Sequence, residues 1–399
     1  MFNGGEKMAD RIILHCDLNN FFASVSLLYN PTLKDLPVAV CGDSENRHGI
    51  ILAKNEIAKK FGVKTAEAIF EAKRKCPELV TLPPLYKEYE EYSIKAREIY
   101  SHYTDMVEPF GIDECWLDVT GSTVLFGNGE EIAHKIRKDI KRELGLTISV
   151  GVSFNKVFAK LGSDMKKPDA VTVISRENFK EKVWPLSIND LLFVGKSTSE
   201  KLRSIGITTI GDITLCDDKT LNRILGKNGI GLKNYALGKD NSPVVPYTAQ
   251  SKPKSIGKST TTGKDFENND EVWSAFLGFA ENIAETLREH NLYATGVQVH
   301  IRTSSLAVRE FSKTFPDGTN CALILAKRGF ELFKEQYHFA EPLRSVGLRA
   351  INLKEDCVAE QIDIFGEKEL DKKTEQVEDS LYRVRQKFGK ESIKRGRIL

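Results

Sequence analysis

The chain begins with a regular exchange of short apolar runs and longer amphipathic stretches. Residues 11–16 are apolar apart from Arg11 and His15 and read as a buried strand ending at Asp17. Asn19 and Asn20 then offer a helix cap before an apolar helix from Phe21 to Leu28. Val38 to Cys41, Gly49 to Ala53 and Val80 to Leu82 predict three further short strands. Residues 55–61 and 66–75 predict two short helices, punctuated by Gly62 and ended by Pro77. Over 85–106, Tyr89, Tyr92, Ala96, Ile99 and Tyr103 recur at three- and four-residue spacing, which predicts a long amphipathic helix. Within 107–120 the period falls to two: Cys115, Leu117 and Val119 share one side, Trp116 and Asp118 the other, as in a half-buried strand. A charged helix over 130–144, a strand from Thr147 to Val152, a helix over 155–165 and a strand over 170–174 follow. The first 175 or so residues therefore predict one mixed sheet covered by helices on one face.

From 176 to 240 the strands vanish, and short helices are joined by glycine turns such as Gly206, Gly211 and the Gly226–Gly231 cluster. Pro243, Pro246 and Pro253 resist regular structure, so 241–258 reads as connecting chain, with the last domain counted from 254. Residues 270–290 and 319–337 predict helices; 295–303, 306–314 and 344–353 predict strands of a small antiparallel module. Beyond 355 the sequence is tail-like: an apolar segment, Ala359 to Phe365, precedes a helix with Leu370, Val377, Leu381, Val384 and Phe388 on one face. The expected class is multidomain, α/β and α+β.

Composition changes this picture little. The 399 residues carry a net charge of only +2, so any nucleic-acid surface must come from local clustering, as in Lys252, Lys254, Lys258 and Lys264, a stretch without acids. Seven cysteines are scattered without a Cys-x-x-Cys pair, against a disulfide framework or zinc ribbon. Met1 to Asp10 holds no apolar leader, and residues 1–7 read as an extension ahead of Met8. No run approaches the roughly 20 apolar residues of a membrane span, so a reduced, cytoplasmic protein with no membrane association is expected.

The chemistry lies in three carboxylates. Asp17 and the adjacent Asp113 and Glu114 sit at the ends of two strands of one sheet. If those strands are neighbours, the three groups converge, and converging carboxylates repel unless cations lie between them. Hard divalent ions such as Mg²⁺ prefer such oxygen ligands, and a pair of ions about 3.5–4 Å apart suits phosphoryl transfer. Asp113 and Glu114 can share a metal only near a turn or bulge, because neighbours in a regular strand point to opposite faces. Gly111 permits such a turn.

Three blocks, Asp17-Leu-Asn-Asn-Phe-Phe-Ala-Ser-Val25, Gly111-Ile-Asp-Glu-Cys-Trp-Leu-Asp118 and Asn155-Lys-Val-Phe-Ala-Lys160 with Met165-Lys-Lys-Pro168, resemble the Y-family, translesion DNA polymerases, nearest to the bacterial DNA polymerase IV branch. The resemblance implies a right-hand polymerase: palm at 8–19 and 82–175, fingers at 20–81, thumb at 176–240, linker at 241–253, little finger at 254–355 and a tail at 356–399. It implies that Asp17, Asp113, Glu114 and the Leu18 carbonyl hold two Mg²⁺ ions. It implies that Phe22 is the steric gate against a 2′-hydroxyl, with Phe21 beside it, and that Lys59 and Lys160 meet the dNTP triphosphate. Gln361, Ile364 and Phe365 resemble the peptide that binds the ring-shaped sliding clamp. The remaining implied partner is primer-template DNA, with the protein a monomer.

Two departures stand out. Glu56-Ile-Ala-Lys59 occupies the place of the family's Tyr-Glu-Ala-Arg; Lys59 keeps the charge without arginine's planar fork, and Glu56 repels a triphosphate, leaving Lys54 or Asn55 to compensate. Phe193-Val-Gly195 stands where the family often has a Pro-Gly-Ile-Gly type loop. The brief fingers segment predicts loose enclosure of the nascent base pair, hence low fidelity. The rivals are a palm-type nucleotidyl cyclase, which needs no thumb, little finger or clamp peptide, and a DNA-bound scaffold without catalysis.

Overall fold

A computed structural model describes residues 11–42, 49–249, 252–355, 367–389 and 392–393. The described residues up to 249 belong to one compact unit and those from 252 onward to a second. In the first unit the chain runs through β1 (Ile13–Leu18), α1 (Phe21–Tyr29), β2 (Val38–Cys41), β3 (Ile51–Lys54), α2 (Glu56–Lys60), α3 (Ile69–Lys75) and β4 (Val80–Leu82). It continues through α4 (Tyr86–Ser101), β5 (Val107–Pro109), β6 (Glu114–Asp118), α5 (Thr123–Phe126), α6 (Gly129–Leu144), β7 (Ile148–Ser153), α7 (Lys156–Met165) and β8 (Val171–Ile174). The helical segment follows as α8 (Phe179–Val183), α9 (Lys196–Arg203), α10 (Ile210–Leu215), α11 (Asp218–Leu225) and α12 (Lys227–Ala236). The second unit holds β9 (Ser255–Phe266), α13 (Asn269–Glu289), β10 (Tyr293–Thr303), β11 (Val308–Thr319), α14 (Ala322–Gln336), β12 (Leu343–Lys354) and α15 (Glu367–Phe388).

The single mixed sheet expected for the first 175 residues is two sheets: a five-stranded one ordered β5-β6-β1-β7-β8 and a three-stranded one ordered β3-β2-β4. Nor is the larger sheet covered on one face only. Leu14, Cys16 and Leu18 of β1 pack into a core with Tyr89, Ala96 and Ile99 of α4 and Ile132, Ile136 and Ile140 of α6. On the opposite face Ile13 packs with Trp116 and Ala159 of α7. Every residue of β1 and β7 is buried, as a strand covered on both sides requires. Glycine makes the second cover possible: a Cβ on Gly151 would lie 1.9 Å from the Ala159 carbonyl oxygen, so α7 rests directly on β7.

That side of the sheet carries the polar positions of β1, His15 and Asp17. Asn155 caps α7, accepting from the Phe158 N–H at 2.8 Å. Trp116 donates from Nε1 to the Lys156 carbonyl at 3.0 Å, tying β6 to the start of the same helix. The helical segment shares one core with α7, from Phe154 and Phe158 through Ile188, Leu202 and Ile213 to Ala236. The expected cap at Asn20 is not made by its side chain. Asn20 is left-handed (φ 49°), and its amide donates instead to Glu56 Oε1 at 3.0 Å.

In the second unit an antiparallel sheet ordered β11-β10-β12-β9 is backed by α13 and α14. The stretch to 258 read as connecting chain already belongs to β9 from Ser255 onward. Its pattern hid it, because β9 is an edge strand with little buried surface, rich in Ser, Thr and Lys, with Ile256 and Phe266 its large apolar residues. In α15, Val377 and Phe388 are largely exposed, while Arg385 pairs with Glu281 and Asp379 with Arg288. The apolar stripe read there is therefore not simply a buried face. No helix among the described residues is long and apolar enough to cross a membrane.

Candidate active site

Asp17 and Glu114 stand directly opposite one another in the antiparallel β1–β6 pair, one residue from the end of β1 and at the start of β6. Asp113 lies just outside β6, in the turn that follows β5, and so escapes strand alternation. The Leu18 N–H donates to the Asp113 carbonyl at 3.0 Å, and the Phe110 N–H to the Glu114 carbonyl at 2.9 Å. The turn therefore brings Asp113 to the same end of the sheet as Asp17. The three residues thus stand at one end of the sheet, and a shared side-chain partner joins Asp17 to Glu114. Asp118 stands apart from them at the far end of β6, where its Oδ1 accepts from the Thr120 N–H at 3.0 Å.

The Asp17 and Glu114 carboxylates do not face an empty space. Lys160, on the second turn of α7, places Nζ 2.8 Å from Glu114 Oε1, 3.3 Å from Asp17 Oδ2 and 3.2 Å from Asp164 Oδ2. Lys167 Nζ lies 2.7 Å from Asp17 Oδ2. Beneath them His15 is fully buried, with Nδ1 2.9 Å from Ser163 Oγ and Nε2 3.5 Å from Glu114 Oε2.

Burial and charge divide the acids. Burial lifts Asp17 to about 6, against the pull of Lys167 and Lys160. Asp113 is also raised, by burial and then by the neighbouring Glu114 charge. Glu114 goes the other way: burial is outweighed by His15 and Lys160, which hold it well below the usual carboxylate range. Burial depresses His15 to about 4, so it is neutral near pH 7. Burial opposes the charge on Lys160, but the Glu114 hydrogen bond with Asp164 and Asp17 raises its pKa above the ordinary lysine value.

Among the described residues no group of three or more His, Cys, Asp and Glu side chains stands in a metal-holding arrangement. Here the two ammonium groups supply the counter-charge. The donor set nonetheless fits a hard divalent cation, since three carboxylates offer only oxygen.

Phe22 lies on the first turn of α1, half-buried, its ring stacked on Tyr89 at 4.2 Å and nearly parallel. Tyr89 is itself buried, and its hydroxyl pairs with Ser26 Oγ at 2.7 Å, so the surface beneath Phe22 is rigid. Phe21 is turned into the core. Lys59 is half-exposed, 3.5 Å from Glu56 Oε1. Of the two compensating residues, Asn55 is committed elsewhere: it caps α2 at Ala58, accepts from the Val38 N–H and donates to the Leu36 carbonyl. Lys54 donates to Thr65 Oγ1 at 3.0 Å.

Of the four lysines of the second unit, Lys254 and Lys258 are exposed, Lys252 pairs with Glu355 at 2.9 Å, and Lys264 lies 3.7 Å from Glu267, both pairs at the surface. Gln361, Ile364 and Phe365 lie outside the described residues. Sequence reading missed Lys167, although it stands in the quoted Met165–Pro168 block; the unbalanced carboxylate charge was the signal that a second ammonium belonged there. It also read Tyr89 only as part of a helix stripe.

The impB/mucB/samB family matches residues 16–164, and its C-terminal domain matches residues 253–364. The chain is 48% identical to DNA polymerase IV of Acetivibrio thermocellus over 98% of each chain. It is 35% identical to DNA polymerase IV 1 of Bacillus subtilis over 98% of this chain and 93% of that one. Among solved structures, a Y-family DNA polymerase chimera superposes with a TM-score of 0.77 at 26% identity, covering 86% of this chain and all of the other.

Proposed function

The chain belongs to the impB/mucB/samB family of Y-family DNA polymerases, in the DNA polymerase IV branch, and we propose that it adds dNTPs to a primer 3′-hydroxyl by two-metal phosphoryl transfer. It is a DNA-directed DNA polymerase of the low-fidelity, translesion kind, acting on primer-template DNA. The observation that carries the mechanism is the pairing of Asp17 with Glu114, with Asp113 held beside Leu18 by a backbone hydrogen bond.

Family membership implies dependence on a divalent metal, and Asp17, Asp113, Glu114 and the Leu18 carbonyl are the groups that would hold two Mg²⁺ ions. Bound there, the metals supply Lewis acidity toward the primer hydroxyl and the leaving pyrophosphate. Lys160 and Lys167 are the nearest cations to the triphosphate end of the site, and their ammonium groups orient the phosphates. Phe22, backed by Tyr89, forms the floor under the deoxyribose and excludes a 2′-hydroxyl. Lys59 contributes a point charge, while Glu56, held by Asn20, weakens the fingers' hold on the triphosphate.

The proposed division is palm at 8–19 and 82–175, fingers at 20–81, thumb at 176–240 and little finger at 254–355. The tail residues Gln361, Ile364 and Phe365 would dock on the sliding clamp, and such a tether raises the local DNA concentration without new DNA contacts. A cytoplasmic monomer is the expected working form. Primer extension with Mg²⁺, comparing the intact protein with Asp113→Ala, tests the reading. Template-directed extension lost in the variant is expected. A cyclic nucleotide made without a primer, or DNA binding with no extension, would overturn it.

A further inference from the structure

A buried nitrogen without a hydrogen bond lies beneath the carboxylates. His15 is fully buried, and its Nε2 makes no hydrogen bond, although Glu114 Oε2 stands 3.5 Å away. Buried polar atoms in a native fold are nearly always paired, so an exception beside an active site calls for a reason. The aromatic walls around the ring supply none. Trp116 and Phe110 meet the imidazole edge-on, with centroids 5.4 and 6.5 Å away, and the single Trp116 side-chain N–H is spent on the Lys156 carbonyl. Glu114 is the polar group that Nε2 faces.

The other ring nitrogen decides what Nε2 has to offer. His15 Nδ1 lies 2.9 Å from Ser163 Oγ, and that oxygen also lies 2.7 Å from the Lys160 carbonyl oxygen. A hydroxyl has one proton to give. Given to Lys160, it leaves Nδ1 as the donor, and the neutral ring then turns a bare Nε2 lone pair on the Glu114 carboxylate. Given to Nδ1, it leaves the ring's one proton on Nε2, facing Glu114. The Lys160 carbonyl loses little in the second arrangement, because it lies inside α7 and takes a backbone N–H from the helix itself. That arrangement also replaces two opposed acceptors with a charge-assisted hydrogen bond.

From this we infer that His15 and Ser163 are positioning residues for Glu114: the Ser163 hydroxyl holds His15 as the Nε2–H tautomer, and that N–H steadies one Glu114 oxygen while the other serves as a ligand. The division of labour is already visible, since Lys160 takes Oε1 at 2.8 Å and His15 faces Oε2. Donors behind a ligating carboxylate fix its orientation and typically change metal affinity or activity by 10- to 100-fold. The inference rests on the polymerase reading, but its first test needs neither metal nor primer.

That test is side-chain nitrogen NMR of the metal-free chain labelled with ¹⁵N-histidine, the His15 signals being those lost in His15→Gln. The Nε2–H tautomer is expected. The second test compares His15→Leu, His15→Gln and Ser163→Ala in steady-state extension and in the Mg²⁺ concentration that gives half the full rise in melting temperature. In His15→Leu, kcat falls by about 10- to 100-fold and the Mg²⁺ requirement rises by about tenfold, while KM for dNTP stays level. His15→Gln recovers much of both, because its amide N–H replaces the lost donor, and Ser163→Ala shows a several-fold loss. Should His15→Leu not fold, the tautomer and Ser163→Ala still decide. An Nδ1–H ring or an imidazolium in the intact chain overturns the inference. So does an unchanged kcat and Mg²⁺ requirement in His15→Leu, or an equal loss in His15→Leu and His15→Gln that tracks a fall in melting temperature; each leaves the polymerase reading intact. An Nε2–H tautomer with a His15-dependent Mg²⁺ response, in a chain that extends no primer, upholds the inference and removes the polymerase reading.

Discussion

Asp17 and Glu114 face each other across paired strands, and the Lys160 ammonium bridges them at 3.3 and 2.8 Å. These side chains are mostly buried, so removing the bridge leaves carboxylates short of a counter-charge rather than hydrated. Lys160→Met is expected to destabilise the metal-free protein by roughly 3 kcal/mol, the range for breaking a buried pair. Millimolar Mg²⁺ should close most of that gap by supplying the missing positive charge. Melting curves with EDTA and with Mg²⁺ check this; an equal deficit in both would mean that no metal enters between these carboxylates.

Phe22 rests flat on Tyr89, and Tyr89 cannot retreat because it is fully enclosed. A 2′-hydroxyl above Phe22 therefore overpacks the site, at a cost of about 1–3 kcal/mol. Phe22→Ala should raise the rNTP-to-dNTP ratio of kcat/KM by about 10- to 100-fold, the same penalty expressed as a rate. Tyr89→Ala should give a smaller rise in that ratio, since the ring above it gains room to tilt. Unchanged sugar selectivity in Phe22→Ala removes the residue from the site.

Two glycines to alanine should move stability in opposite directions. A Cβ on Gly151 would lie 1.9 Å from the Ala159 carbonyl oxygen and 2.5 Å from the Ser163 nitrogen, both backbone atoms of α7. Neither can yield without displacing the helix that carries Lys160, so Gly151→Ala should cost about 3 kcal/mol or more. Gly278, inside α13, has nothing within 4 Å of its notional Cβ. There alanine should stabilise by about 0.5–1 kcal/mol through helix propensity alone. Urea unfolding measures both, and a neutral Gly151→Ala would mean that α7 can lift from the sheet.

How far the sequence revealed this site follows from which residues could signal their surroundings. The alternation of Cys115, Leu117 and Val119 against Trp116 and Asp118 survives in the structure, because β6 has a large apolar core on one side. What pattern could not reveal was the second cover. The run up to Asp17 reads as a buried strand, and it is one, but nothing in the pattern says what covers His15 and Asp17; α7 lies over that face and buries both. The edge strand β9 was hidden for the opposite reason: little of it is buried, so threonine and lysine replaced the apolar alternation that marks a strand. Lys167 went unassigned because its partner, Asp17, is 150 residues away and only the β1–β7–β8 arrangement brings them together.

The segment carrying Lys167 is held by a chain of polar contacts, and the last prediction concerns them. Arg137 of α6 donates from Nε to Asp169 Oδ1 at 2.9 Å. The Asp169 N–H donates to Asn19 Oδ1 at 2.8 Å, and Asn19 Nδ2 donates to Ser149 Oγ at 2.9 Å. Two residues before Asp169, Lys167 reaches Asp17. Arg137 and Asp169 are each about a quarter exposed, so their ion pair contributes at most about 1 kcal/mol to stability. Its larger effect is to fix where the Lys167 ammonium stands. Arg137→Gln should leave the melting temperature within a few degrees and kcat nearly unchanged, while KM for dNTP rises several-fold; Arg137→Lys should recover part of the loss. Steady-state primer extension separates the two parameters. A fall in kcat with no change in KM would mean that the contact serves the carboxylates rather than Lys167.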